Sequence, residues 1–378
     1  MNWKISLSDI DLTNDEIDAA NNVLKSKWLT MGAVTQQFEQ EFAQRLDAKY
    51  AFAVSNGTAA LHIACCVLGL GDGDEVIVPS LTFVATSNSV LYTGATPIFA
   101  DITSFDSFNI SPDSILEHIT PRTKAIIVVH YGGYPCDMSR IMQIAKERGL
   151  YVIEDAAHAP GAEYEGKKCG TIGDVSCFSF FSNKNIACGE GGMVVTNNDS
   201  FAEMIKKIRS HGMTSMSWER HKGHAYSYDV VELGYNYRID EIRSSIGIVQ
   251  LGKLDRNNQK RNRLTEKYID CLKSIEEVKV PFVNHDGKSS YHIFPTLLSS
   301  NVNRTEIMEK MKSAGIQTSI HYPPIHLFTY YRNCFGFKEN MLPNTEYVGQ
   351  LELTLPLHPL MEEADVEYVV KTLKESLL

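Results

Sequence analysis

Residues 178–195 read FSFFSNKNIACGEGGMVV, and this stretch places one lysine between two apolar runs. The aromatic residues before Lys184 are typical of a buried strand, and the glycine-rich bend at 189–192 leads into the second apolar run. A flexible amine held between a strand and a glycine bend can reach a pocket and form an imine with a carbonyl. A lysine without such context is usually a solvated surface residue, so the rest of the chain has to decide its role.

The composition is that of an ordinary globular protein. The chain has 378 residues, of which 43% are hydrophobic and 22% charged, and this length predicts two domains of unequal size. The formal net charge of −10 argues against a general nucleic-acid or anionic-membrane binder. The sequence has no run of about 18 apolar residues and no N-terminal signal pattern, so we expect a cytoplasmic protein without membrane spans. The histidines form no His-Glu-x-x-His motif, and no metal site is predicted.

Apolar strands and helices alternate along the first two thirds of the chain. Strands are predicted at 50–54, 75–78, 96–101, 125–130 and 151–155, and helices at 12–26, 34–46, 59–68, from about 80, and 138–148. Such alternation predicts a parallel sheet covered by helices on both faces. Beyond residue 240 the pattern predicts helices at about 240–251, 253–267 and 304–314, a strand at 291–294 and a closing helix after 362. We interpret this last part as a smaller α+β domain.

Three candidate segments each follow a strand of the predicted sheet. The turn at 55–58 follows the first strand, Asp155 and His158 lie at the end of another, and Lys184 follows a third. Because ligands of parallel sheets gather at the carboxyl ends of strands, we expect these segments to converge. Free N–H groups at the turn 55–58 would suit a phosphate, although Ser and Thr there can equally serve as helix caps.

Together these residues supply the parts that pyridoxal phosphate (PLP) requires. Lysine condenses with the aldehyde of this cofactor, and a carboxylate such as Asp155 keeps its ring nitrogen protonated. The phosphate then goes to a helix N-terminus. The 29 residues from Asp155 to Lys184 leave room for one strand and its connections. The set of signals therefore favours a PLP site more strongly than any one of them does.

Seven motifs follow one another along the chain: WLTMG at 28–32, SNGTAAL at 55–61, VPSLTFVAT at 78–86, EDAAHA at 154–159, FSFF at 178–181 with Lys184, GEGG at 189–192 and GYNYR at 234–238. Their order and spacing resemble the DegT/DnrJ/EryC1/StrS family of PLP-dependent nucleotide-sugar aminotransferases over essentially the whole chain. The resemblance implies the α/β fold type I of PLP enzymes, as in aspartate aminotransferase. It implies a large domain, 1–253, with a mixed, mostly parallel seven-stranded sheet, and a small C-terminal α+β domain, 254–378.

The resemblance also implies roles for individual residues. Lys184 matches the lysine that forms the internal aldimine with PLP and later moves the proton, and Asp155 matches the carboxylate that pairs with the ring nitrogen. The other implied cofactor contacts are His158 beside the ring hydroxyl, Gly57, Thr58 and Ser179 at the phosphate, and Phe83 stacked on the ring. Phe83 and His158 can instead be core residues.

Two further features follow from the same resemblance. Asn236 matches a residue that reaches the cofactor phosphate of a neighbouring subunit, which implies a homodimer with shared active sites, unless Asn236 only forms a turn. Family members bind substrate near 29–32 and 321–323. The candidate substrate-binding residues are therefore Thr30, Met31, His321 and Tyr322.

The implied reaction transfers an amino group from glutamate to a nucleotide-linked keto-sugar, with a 4-keto-6-deoxyhexose as the expected acceptor. Three alternatives remain open at this point. The acceptor can be a cyclitol ketone. The protein can be a sugar dehydratase of the same fold, although such relatives replace the lysine with histidine and this chain keeps Lys184. It can also be a cofactor-binding regulator without turnover, which the pairing of Lys184 with Asp155 disfavours.

Overall fold

The computed structural model describes residues 3–214 and 227–378. Its helices are α1 Asn14–Ser26, α2 Ala33–Leu46, α3 Gly57–Val67, α4 Ala85–Leu91, α5 Pro112–His118, α6 Met138–Arg148, α7 Asp199–Ile208, α8 Glu241–Leu272, α9 Arg304–Ser313, α10 Thr329–Phe335, α11 Pro343–Leu351 and α12 Glu363–Leu377. Its strands are β1 Tyr50–Val54, β2 Glu75–Pro79, β3 Thr96–Ala100, β4 Ile102–Ser104, β5 Ser107–Ile110, β6 Thr123–Val129, β7 Tyr151–Asp155, β8 Glu163–Tyr164, β9 Lys167–Lys168, β10 Val175–Ser179, β11 Gly192–Thr196, β12 Val278–Lys279, β13 Phe294–Leu298 and β14 Glu352–Leu355. No helix in these ranges is both long enough and apolar enough to cross a membrane.

A seven-stranded sheet forms the centre of the fold, with the strand order β1-β11-β10-β7-β6-β2-β3. Strand β11 pairs antiparallel with both of its neighbours, and the four remaining pairings are parallel. Parallel strands require crossover connections, and helices such as α6 between β6 and β7 provide them. The predicted mixed, mostly parallel sheet of seven strands is therefore confirmed.

Each inner strand sends alternate side chains to opposite faces of the sheet, as the period of two requires. In β6, Ile126 and Val128 join one core cluster, whereas Ala125 and Ile127 join the other. The first cluster also holds Phe42 of α2, whose ring lies edge-on to a β10 phenylalanine at 5.0 Å. Both faces of the sheet are thus covered by helices, which is why these strands are apolar almost throughout.

The C-terminal part contains a three-stranded antiparallel sheet, β12-β13-β14, packed on α9, α12 and the end of α8. Helix α8 is one element of 32 residues, where the sequence pattern had predicted two helices. The predicted domain boundary between residues 253 and 254 falls inside this helix, and it stays a prediction.

Two predicted element starts were wrong. The strand predicted at 291–294 begins only at Phe294, because Tyr291 has a φ of 50°, outside the extended range that a strand needs. The helix predicted from about residue 80 begins at Ala85. There the side chain of Ser80 accepts a hydrogen bond from the backbone of His326, so this segment is tied to the C-terminal part.

The first residue of α8 fixes the loop at 29–32. The buried carboxylate of Glu241 accepts hydrogen bonds from the backbone N–H groups of Gly32 (2.8 Å), Val34 (2.9 Å) and Thr35 (2.8 Å). It also accepts one from the hydroxyl of Thr35 at 2.6 Å. These donors lie at the N-terminus of α2, where a helix leaves its first N–H groups without partners inside the helix. Glu241 therefore caps α2 from a distant part of the chain.

Replacing Glu241 with alanine should destabilise the protein by about 2–4 kcal/mol, because three buried donors and one partly buried donor lose their acceptor. The measurement is the free energy of unfolding from urea denaturation. As a control, Asp270→Ala removes one member of an exposed ion pair with Lys273 and should leave the denaturation midpoint unchanged. A loss below about 1 kcal/mol in Glu241→Ala would contradict the capping role.

Candidate active site

A cavity of about 850 Å3 opens at the edge of the sheet where β1, β7 and β10 end. Its walls include most of the residues singled out in the sequence: Gly57, Thr58, Phe83, Asp155, His158, Ser179, Lys184, His321 and Tyr322. The three segments that follow different strands thus do lie around one space. This is the convergence that a parallel sheet predicts at its carboxyl edge.

The start of helix α3 forms one wall of the cavity. Asn56 caps the helix, and its side-chain oxygen accepts a hydrogen bond from the N–H of Ala59 at 2.8 Å. A Cβ atom on Gly57 would come within 2.9 Å of the Cβ of Ser179, so only glycine fits here without displacing that serine. The N–H groups of the first helical turn and the serine hydroxyl therefore lie side by side, in an arrangement suited to an anion.

Asp155 ends β7 and is buried, with 5% of its surface exposed. Its carboxylate accepts hydrogen bonds from the hydroxyl of Thr86 at 2.8 Å and from the N–H of Ala157 at 3.2 Å. Burial raises the pKa of Asp155, while these two hydrogen bonds and the charge of Lys184 act in the opposite direction. The carboxylate is consequently held in place and suited to a cationic partner.

Lys184 lies in the turn after β10 and is partly buried. Burial lowers the pKa of its amine to about 8, and the charge of Asp155 opposes this shift. With such a pKa, about a tenth of the amine is uncharged at pH 7, far more than for an ordinary lysine. The Nζ atom lies 3.5 Å from Nε2 of His292. The site therefore increases the fraction of Lys184 in the uncharged form, which is the nucleophilic form.

His158 is buried beside the cavity and is held as a neutral ring. Its Nδ1 accepts a hydrogen bond from the N–H of Gly132 at 3.3 Å, so the ring proton lies on Nε2, 3.1 Å from the hydroxyl of Tyr322. Burial lowers the pKa of His158 well below its ordinary value, and the charge of Lys184 adds to the effect. The histidine can thus donate a hydrogen bond without carrying a charge.

His321 connects the cavity with the C-terminal part. Its Nδ1 lies 2.8 Å from the hydroxyl of Thr354, and its backbone N–H donates to the carboxyl of Glu352 at 2.7 Å. Burial raises the pKa of Glu352 to about 8 and lowers the pKa of His321 to about 4. The ring of His321 is therefore neutral, and residues of β14 fix its orientation.

The remaining predicted site residues lie at the rim of the cavity or outside it. The ring of Phe83 is 58% exposed on the rim of the cavity, and its centroid is 6.4 Å from that of Tyr322. Thr30 and Asn236 are exposed and Met31 is buried, and none of these three lines the cavity within this chain. Their roles toward substrate or a neighbouring subunit stay predictions.

The sequence interpretation missed two residues that hold the site together, Thr86 on Asp155 and His292 beside Lys184. Thr86 was part of a family motif but had no assigned role. His292 interrupts the apolar run at 291–294 with a polar ring, and this interruption was the signal available. In the described ranges, no cluster of three or more His, Cys, Asp or Glu residues could hold a metal ion.

The rate at which Lys184 of the cofactor-free protein reacts with an amine reagent should rise with a midpoint near pH 8. Asp155→Asn should move this midpoint to lower pH, because the carboxylate that stabilises the ammonium is lost. Mass spectrometry of the labelled peptide gives the rate at several pH values. Lys206, an exposed lysine of α7, provides the internal control, and its labelling should be unchanged. An unchanged or higher midpoint for Lys184 in Asp155→Asn would exclude the charge coupling.

Known proteins resemble this chain over nearly its full length. The spore coat polysaccharide biosynthesis protein SpsC of Bacillus subtilis is 38% identical, with 96% of this chain and 94% of SpsC covered. Helicobacter pylori PseC, an aminotransferase in the biosynthesis of pseudoaminic acid, superposes with a TM-score of 0.92 at 30% identity over 99% of both chains. The PLP form of Spr1654 from Streptococcus pneumoniae gives a TM-score of 0.91 at 29% identity, covering 100% of this chain and 98% of that one.

The family model agrees with these likenesses. The model of the DegT/DnrJ/EryC1/StrS aminotransferase family matches residues 10–374, which is nearly the entire chain. The fold of its solved relatives is the one that the motifs predicted. The chain therefore belongs to the DegT/DnrJ/EryC1/StrS aminotransferase family, as its motifs predicted, and is an aminotransferase.

Proposed function

We propose that the protein uses PLP to transfer an amino group from glutamate to the ketone of a nucleotide-linked sugar, with a 4-keto-6-deoxyhexose as the expected acceptor. The observation that carries the proposal is the meeting of Lys184, Asp155 and the Gly57 turn around one cavity. An amine, a buried carboxylate and an anion site are the three groups that this cofactor needs. SpsC takes part in spore coat polysaccharide biosynthesis and PseC in the biosynthesis of pseudoaminic acid, which supports a sugar-derived substrate.

The residues of the cavity fit the cofactor. The close approach of Gly57 to Ser179 leaves a cradle that a Cβ would fill, and the first-turn N–H groups of α3 suit a phosphate. Asp155 would pair with the ring nitrogen, and Lys184 would bind the aldehyde. When bound, PLP supplies an electron sink that stabilises the negative charge developing on the substrate carbon.

Lys184 has two tasks in this proposal. It first acts as a nucleophile, for which its lowered pKa of about 8 provides an uncharged fraction at neutral pH. When its amine is free, Lys184 would also act as a general base and acid that takes a proton from one carbon and returns it to another. Since donor and acceptor use the site in turn, one amine serves both half-reactions.

The substrate would occupy the part of the cavity between Lys184 and the C-terminal segment at 321–322. His321 and Tyr322 line this side, and both present polar atoms on rings that neighbouring groups hold in place. A cavity of about 850 Å3 is of a size that accommodates a ligand as large as a sugar nucleotide. Thr30 and Met31 would contribute from the loop that Glu241 fixes.

We also propose a homodimer with shared active sites. Several large apolar side chains are exposed near the cavity or next to the Asn236 segment: Leu29, Phe83, Phe181, Tyr228, Val230, Val231 and Leu233. Leu233 alone has 80% of its surface exposed. Large apolar side chains exposed in such number are typical of an interface, and a second copy would cover them while bringing Asn236 to the phosphate of its partner.

Lys184→Ala should abolish the long-wavelength absorbance of the PLP-loaded protein and all amine transfer, because Lys184 is the one lysine among the described residues that line the cavity. In the wild type, adding glutamate should bleach this band. Lys273→Ala, at an exposed position, serves as the control and should behave as the wild type. A spectrum of Lys184→Ala identical to that of the wild type would refute the assignment.

Mass spectrometry of a panel of ketones tests the acceptor. Nucleotide-linked keto-sugars should exchange their ketone oxygen for an amine, and free cyclitol ketones should not. Loss of water from the sugar without amine incorporation would indicate a dehydratase. Binding of PLP without turnover on any ketone of the panel would favour a regulatory protein.

Leu233→Asp should convert the dimer to monomers in sedimentation experiments and reduce activity, because a charge would be buried in the interface. Leu360→Asp, which changes an exposed leucine of the C-terminal part, should leave the dimer intact. In addition, co-expressed Lys184→Ala and Asn236→Ala chains should regain activity, since each mixed dimer holds one complete site. A monomeric wild type, or inactive mixed dimers, would contradict shared sites.

A further inference from the structure

His292 lies beside the reactive amine, although nothing in the family motifs assigns it a role. Its Nε2 atom is 3.5 Å from Nζ of Lys184, at the long end of the hydrogen-bond range. We propose that His292 is a positioning residue whose neutral ring accepts a hydrogen bond from Lys184 and directs the amine into the cavity. This role rests on the proposed function, in which Lys184 has to reach a carbonyl.

The donors and acceptors in the hydrogen bonds that join His292, Asn185 and Ser290 can be assigned, because the backbone carbonyl of Ser290 can only accept. The carbonyl oxygen of Ser290 lies 2.8 Å from the side-chain nitrogen of Asn185, so that nitrogen donates to it. The same nitrogen donates to the side-chain oxygen of Asn258 at 2.8 Å. The oxygen of Asn185 therefore faces Nδ1 of His292 at 2.9 Å. Nδ1 must carry the ring proton, and Nε2 is left with a lone pair that points to Lys184.

The surroundings of His292 oppose a second proton on its ring. The side chain is buried, and the charged or titratable groups that act on it are Lys184, Arg261, His158 and His321. Burial lowers the pKa of His292 well below its ordinary value, and these positive or potentially positive groups lower it further. A protonated ring would place a second cation next to the lysine. The lowered pKa of His292 therefore favours the neutral ring, which can accept a hydrogen bond from Lys184.

The position of His292 is fixed from three sides. Its backbone carbonyl accepts a hydrogen bond from the guanidinium of Arg261 at 3.2 Å, and its Nδ1 is held by Asn185. Its ring lies against that of His158, with centroids 4.4 Å apart. The acceptor that faces Lys184 can therefore move little, and it restricts the flexible lysine side chain to fewer orientations.

A neutral acceptor differs from a carboxylate in its effect on the amine. A carboxylate in contact with Lys184 would strongly favour the charged ammonium, which is not nucleophilic. His292 can instead hold the amine by a hydrogen bond whether it is charged or not. The two residues thus have different roles: Asp155 supplies the negative charge, and His292 orients the amine of Lys184.

Replacing His292 with glutamine or with asparagine distinguishes the role of its Nε2 atom from that of its Nδ1 atom. The amide of glutamine reaches about as far as Nε2, whereas that of asparagine reaches only as far as Nδ1. His292→Gln can therefore still accept from Lys184, and His292→Asn can contact only Asn185. Both changes remove the ring contact with His158, so a general loss of packing would affect them equally.

The first readout uses the cofactor-free protein, in which the labelling rate of Lys184 is followed against pH. His292→Asn should lower the midpoint by about one pH unit, because the ammonium loses its hydrogen bond. The second readout is the rate of imine absorbance after adding PLP at a pH where the amine is uncharged. This rate should fall about tenfold or more in His292→Asn and stay within about threefold of the wild type in His292→Gln.

Equal behaviour of the two variants, or a wild-type midpoint and rate in His292→Asn, would overturn the proposal. If neither variant folds, nitrogen-15 NMR of the wild type decides, because His292 must be neutral with its proton on Nδ1 at pH 7. A proton on Nε2 would exclude the acceptor role. The labelling experiment needs neither cofactor nor substrate, so failure of the proposed reaction would be seen separately as absence of PLP binding or amine transfer.

Discussion

The charge attraction between Asp155 and Lys184 across a buried cavity is the interaction on which the site depends. Burial acts against both charges, raising the pKa of the carboxyl group and lowering that of the amine. Their mutual attraction opposes both shifts, and the hydrogen bonds from Thr86 and Ala157 to the carboxylate further oppose the rise in the pKa of Asp155. The parallel sheet makes this possible, because it brings the ends of β7 and β10 to the same edge.

Neutral histidines surround this charged pair. Burial lowers the pKa values of His158, His292 and His321, so the site contains polar rings that add no positive charge near Lys184. Each ring has a nitrogen within hydrogen-bond range of a different element: Gly132 for His158, Asn185 for His292 and Thr354 for His321. Residues of both parts of the chain thus orient the neutral rings, while Asp155 at the end of β7 contributes the negative charge.

Secondary-structure elements that are determined by local sequence pattern could be predicted from the sequence. The strand Tyr151–Asp155 and the helix Met138–Arg148 agree with prediction to the residue, because apolar periodicity and flanking turns mark both clearly. Features that depend on contacts between residues far apart in the sequence could not be predicted from local pattern. The cap of α2 by Glu241 spans more than 200 residues, and the position of His292 depends on Asn185 and Arg261 from two other segments. The predicted strand at 291–294 begins later than expected because Tyr291 has a positive φ, which the residue type does not reveal.

Helix α8 has a mechanical consequence for the whole molecule. Its 32 residues, at about 1.5 Å each, form a rod about 48 Å long. One end holds the 29–32 loop through Glu241, and further along Arg261 donates to the backbone of His292. A bend in the middle of the rod would break successive backbone hydrogen bonds, so the two parts of the chain cannot pivot near residue 253. Any movement of one part relative to the other therefore requires backbone changes at the ends of α8.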